Sequence, residues 1–186
     1  MPKIKSIIAK EILDSWGRPT VEVELETEKG IFGASCPSGA STGEGEALEL
    51  RDQDGQGVLR AIENINNIIS KELKGRNPVE QMELDKLMVR LDGTENKSKL
   101  GANAILPVSM AICRAGAVLQ NVPLYQYISI ISGNSFLMPQ PSFNFIEGGA
   151  HAVGHNNLDL QEFMVVPKGK SFKENLIAAN KIFENL

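Results

Sequence analysis

Val21-Glu22-Val23-Glu24-Leu25-Glu26 alternates apolar and acidic side chains without a break. A period of two puts the valines and the leucine on one face and the carboxylates on the other, the pattern of a β-strand with one face buried and one in water. Upstream, residues 3–12 are rich in β-branched side chains and partly alternating. Downstream, Glu28-Lys29-Gly30 reads as a turn into a short apolar run over 31–34. Three such segments joined by short turns predict a three-stranded antiparallel meander. The next tract, Ser35-Cys36-Pro37-Ser38-Gly39-Ala40-Ser41-Thr42-Gly43-Glu44-Gly45, gathers small residues and glycines that no regular element favours, and is expected to be a mobile loop.

From Gly57 the period changes. Val58, Ile62, Ile65 and Ile69 recur at spacings of three and four, with Glu63, Asn64, Asn66 and Asn67 between them, which predicts an amphipathic helix. Asn77-Pro78-Val79-Glu80 resembles an N-cap followed by proline at the first helical position. Leu84, Leu87, Met88 and Leu91 then supply the stripe of a second helix, stopped at Asp92-Gly93. Residues 101–120 are apolar almost all round, as a buried helix would be, and Pro107 is expected to kink or split it. A short helix over 123–131 should end at Ser132-Gly133-Asn134. Ser142-Phe143-Asn144-Phe145-Ile146 and Leu160-Gln161-Glu162-Phe163-Met164-Val165-Val166 read as strands, and residues 171–186 as a helix. The change of texture at 134–141 predicts two domains, 1–134 and 141–186, the second with too little chain to close by itself.

The chain has 186 residues, 42% of them hydrophobic and 23% charged, enough to bury a core. Nineteen Lys and Arg against 23 Asp and Glu give a net charge of −4, without the basic excess that a nucleic-acid partner requires. The opening MPKIKSIIAKEILDS has no apolar h-region or cleavage site. No later segment is expected to approach the roughly 18 apolar residues of a membrane span. Cys36 and Cys113 lie far apart without metal-type spacing, which fits a reduced compartment. These features predict a cytoplasmic protein.

Three places offer chemistry. Backbone N–H groups of the glycine-rich loop could cradle an anion, yet the tract matches neither nucleotide-binding glycine fingerprint, and a plain surface loop is the competing reading. His151 and His155 are spaced like the ligands of a zinc helix, but Gly148, Gly149 and Gly154 oppose a helix, and Ala152 stands where such a motif carries its glutamate. A loop histidine titrating near neutrality suits a general acid or a phosphate contact equally with a solvated side chain. Glu162 is an acid within an apolar strand. Buried on both faces, it would have to be paired, metal-bound or raised in pKa; with one face wet it signifies little. Gln161 should point to the opposite face.

Several long segments resemble the enolase family: Ile12-Leu13-Asp14-Ser15 with Gly17 and Pro19-Thr20-Val21-Glu22-Val23; Pro37-Ser38-Gly39-Ala40-Ser41-Thr42-Gly43 with Glu46-Ala47-Leu48-Glu49-Leu50-Arg51-Asp52; and Leu91-Asp92-Gly93-Thr94-Glu95-Asn96-Lys97-Ser98-Lys99-Leu100-Gly101-Ala102-Asn103-Ala104-Ile105-Leu106. Gly148-Gly149 with His151-Ala152, and Leu160-Gln161-Glu162-Phe163-Met164, continue the match in order. Trp16, Arg18, Gly45 and Glu147 stand where the family usually has arginine, asparagine, histidine and asparagine. Pro107 replaces a helix glycine, and Asp52-Gln53-Asp54-Gly55 looks shortened.

The resemblance implies an α+β fold: the antiparallel meander, a helical bundle, then the beginning (ββα) of an incomplete enolase-type α/β barrel, because a whole barrel takes about 250 residues. It implies Mg²⁺-dependent dehydration of 2-phosphoglycerate to phosphoenolpyruvate, with a lysine base and two Mg²⁺ ions stabilising the ene-diolate. By motif, Ser41 would ligate Mg²⁺, and Gly39 and Ala40 beside it would bind substrate. His151 would approach the substrate phosphate, Glu162 would assist departure of hydroxide, and Gln161 would share its pocket. The family's metal-binding carboxylates and catalytic lysines match no position in 1–186, so the chain alone is expected to be inactive. It is also expected to self-associate through the unpaired edges of 141–186. A non-catalytic, enolase-derived binding module is the competing hypothesis.

Overall fold

The computed structural model describes residues 2–37, 43–53, 55–149, 152 and 158–186. The chain forms two compact units that divide between Phe136 and Leu137.

In the first unit, β1 (Ser6–Leu13), β2 (Pro19–Thr27) and β3 (Gly30–Ser35) form an antiparallel sheet in the order β1-β2-β3, the expected meander. Ile7 lies opposite Leu25, and Val23 is flanked by Ala9 and Ala34. All five are buried, whereas Glu22, Glu24 and Glu26 on the other face stay partly exposed. There Lys10 Nζ bridges Glu22 and Glu24 at 2.8 Å each.

The helix expected from Gly57 forms as α1 (Leu59–Asn64), a π-helical turn (Ile65–Ile69) and α2 (Ser70–Leu73). Ala61, Ile65, Ile69 and Leu73 are fully buried and spaced by four. At 3.6 residues per turn such a row drifts about 40° with each step, and the wider π turn offsets that drift so that all four face the core. The same segment carries Asn66, whose Oδ1 accepts from Ala9 N at 2.8 Å and whose Nδ2 donates to Ala9 O at 3.1 Å. One side chain thus pairs with the backbone of an edge strand.

α3 (Gln81–Asp92) begins three residues later than the capping pattern suggested. Asn77 instead closes a turn, accepting from Val79 N through Oδ1 (3.2 Å) and from Glu80 N through its carbonyl (3.1 Å). The stop is as expected: Gly93 takes the left-handed conformation at φ 72°. Pro107 does not split α4 (Ala102–Leu119), which runs unbroken for 18 residues. Proline removes one hydrogen bond, to the carbonyl four residues back, and burial of Ala104, Val108, Ala111, Ile112 and Ala115 in the core shared with the sheet outweighs that loss. α4 is not buried all round, since Leu106 and Val118 are largely exposed. It also corrects the expectation that no segment approaches a membrane span, because its length and mean hydropathy of 1.5 suffice. Half of it is buried inside its own unit, as in the core helix of a water-exposed domain. α5 (Leu124–Ser132) ends at Gly133, again left-handed.

In the second unit, β4 (Phe143–Glu147) and β5 (Glu162–Val165) pair antiparallel with an irregularity between Asn144 and Ile146. α6 (Phe172–Phe183) is capped by Ser171, whose Oγ accepts from Glu174 N at 3.2 Å. The Phe145 and Phe183 rings lie 6.3 Å apart. The architecture is mixed α+β, and among the described residues there is no closed barrel.

Candidate active site

Gly39, Ala40, Ser41 and His151, with the zinc-type pair His151 and His155, lie outside the described residues, as does the centre of the loop expected to be mobile. What can be followed is how the flanking chain is held. On the approach, Cys36 N donates to Val21 O at 2.8 Å, and Thr20 Oγ1 donates to Cys36 O at 2.8 Å. Beyond it, Glu46 closes a turn by accepting from Gly43 N at 2.8 Å. Leu48 N donates to Asn96 O and Ala102 N to Leu48 O, both at 2.7 Å. Asn103, 1% exposed, then grips Leu50: Oδ1 accepts from Leu50 N at 2.9 Å and Nδ2 donates to Leu50 O at 3.0 Å. Gly101 makes that approach possible, because its φ is +98° and a Cβ there would stand 2.6 Å from both Asn103 Oδ1 and Leu50 Cβ.

The 94–100 connection is organised by Asp92, which accepts from Thr94 N at 2.9 Å, from Thr94 Oγ1 and from Leu100 N at 2.7 Å. Burial pushes its carboxyl up, but the hydrogen bonds from Leu100, Thr94 and Lys99 prevail and hold it below the ordinary carboxylate value. Residue-by-residue reading missed Asp92 and Asn103 as anchors. For Asn103 the signal was an amide among the apolar residues of the first turns of α4, whose polar atoms must find partners.

In the second unit Glu162 opens β5 directly opposite Glu147, the last residue of β4. Asn144 Nδ2 donates to Glu147 Oε1 at 2.6 Å. The two glycines after Glu147 bring backbone against backbone: Gly148 N donates to Gln161 O at 2.7 Å and Gly149 N to Leu158 O at 3.1 Å. A Cβ on Gly148 would run into Leu160 O and stand 2.9 Å from Leu158 Cβ, and Gly149 has φ +54°. The chain therefore leaves at Gly149 and returns at Leu158 through a closed neck, and this neck fixes Gln161 and Glu162. Glu162 is half-buried and Gln161 exposed. No residue of β5 is fully buried, so the strand is not buried on both faces.

Among the described residues no group of three His, Cys, Asp or Glu gathers to hold a metal ion; Glu147 and Glu162 are a pair. Cys36 and Cys113 are free thiols. Burial, aided by Glu49 and opposed by Arg51, pushes Cys36 up to about 11, so it is no thiolate nucleophile at neutral pH.

Two family descriptions match the chain: "Enolase, N-terminal domain" over residues 4–128, and "Enolase, C-terminal TIM barrel domain" over residues 135–186. A curated relative, the enolase of Mastigamoeba balamuthi, is 54% identical over 193 aligned residues, which take in all of this chain and 44% of the relative. The chain thus spans less than half the length of that relative. Matches on both sides of the division at Phe136, and 54% identity over the whole chain, show that the chain belongs to the enolase family.

Proposed function

We propose that residues 1–186 supply the N-terminal domain (1–134) and the start of the barrel (141–186) of a glycolytic enolase that dehydrates 2-phosphoglycerate to phosphoenolpyruvate in the cytoplasm. The observation that carries this reading is the 54% identity over the whole chain to a protein named enolase. The anchored approaches to residues 38–42 and the Gly148-Gly149 neck support it, because both hold short segments at fixed entry and exit points, as preorganised substrate contacts require.

In this reading a base outside 1–186 takes the proton from C2 of the substrate, and the released electron pair becomes the C2=C3 double bond. The C3–O bond breaks, and the departing hydroxide takes a proton from the Glu162 carboxyl and leaves as water. Glu162 must therefore enter each cycle protonated and finish it as a carboxylate. Gln161 and the backbone of Gly39 and Ala40 contact the substrate, and His151 approaches its phosphate. Mg²⁺ is the proposed metal and Ser41 a ligand for it. A serine hydroxyl holds that ion weakly without carboxylates or phosphate, and the described residues bring together no set that could replace them. Residues 1–186 alone are accordingly proposed to be inactive. They are also proposed to self-associate, since Leu137, Met138, Leu160, Met164 and Phe183 are more than half exposed.

The test is phosphoenolpyruvate formation by residues 1–186 alone, read by its ultraviolet absorbance with Mg²⁺ present, beside light scattering for oligomeric state. No turnover and a concentration-dependent mass are expected. Mg²⁺-dependent turnover abolished by Glu162→Ala would contradict the proposed inactivity, and a strict monomer at high concentration would contradict self-association.

A further inference from the structure

We draw no further inference here: the strongest candidate, the apolar cleft of about 280 Å³ lined by Asp85 and Val89 of α3, by Ile105, Leu106 and Ser109 of α4 and by Lys97, carries nothing because nothing in the structure shows what covers it.

Discussion

Replacing Asn103 with alanine should be among the most damaging single changes in the first unit. The side chain is 1% exposed and spends both ends of its amide on Leu50, a residue itself only 6% exposed. Alanine leaves Leu50 N–H and C=O buried without these partners, at about 1–3 kcal/mol for each orphaned group. The expected loss is therefore about 2–6 kcal/mol, and each kcal/mol lowers Tm by about 2–4 °C for a chain of this size. Asn103→Asp should cost less than the alanine change in hydrogen bonds, since Oδ1 can still accept from Leu50 N, but it sets a carboxylate oxygen against Leu50 O, so it should not restore stability. Gly101→Ala attacks the same clamp from the other side and should couple to Asn103→Ala rather than add to it. Urea unfolding gives the free energies, and hydrogen exchange at the Leu50 amide reports the clamp itself. A loss under 0.5 kcal/mol, or unchanged protection of Leu50, would refute the idea that this amide fixes the 46–52 segment.

Further outcomes follow from individual groups. Because the folded-state pKa of Asp92 is lowered, its contribution is complete above the unfolded carboxylate value near 3.9 and disappears as pH falls through the folded value. Asp92→Asn should therefore flatten the acid limb of a stability-against-pH curve, and an unaltered slope below about pH 4 would count against the assignment. Gly116→Ala should destabilise by about 1–3 kcal/mol, because its Cβ would meet Tyr127 Oη and stand 2.5 Å from Tyr127 Cζ, in a ring that is fully buried and donates to Val79 O. A variant melting with the parent would show that the ring has room to yield. Cys36 should react slowly with a disulfide reagent at pH 8 in the folded chain and fully in urea; a fast native reaction would mean that the thiol is neither buried nor raised.

β2 was legible because one short run of alternation specifies both its conformation and its buried face, and Val21, Val23 and Leu25 are all completely buried. The ends of α3 and α5 were legible for a similar local reason, a glycine that takes positive φ at Gly93 and Gly133. The π turn at Ile65–Ile69 was not, since spacings of three and four do not distinguish a drifting α-helix from one corrected by a wider turn. Pro107 does not split α4, because the cost of one missing hydrogen bond is local, whereas the packing that retains the helix comes from β2 and β3, far away in sequence. At the candidate site, motif resemblance nominated Gln161 and Glu162. The neck that places them depends on contacts between Gly148-Gly149 and residues 158–161, which no single-residue pattern announces.

In the proposed function this segment contributes Glu162 as the acid and Ser41 as one metal ligand, while the base and the other metal ligands come from outside residues 1–186. Residues 1–186 should be combined with the remaining C-terminal portion of the Mastigamoeba balamuthi enolase, and phosphoenolpyruvate formation followed for the parent and for Glu162→Gln. Mg²⁺-dependent activity is expected only when both portions are present. Glu162→Gln, which keeps the shape but has no proton to give, should lower kcat by about 10²-fold or more and shift KM far less. Assembly of the two portions without activity, or full activity with Glu162→Gln, would contradict it.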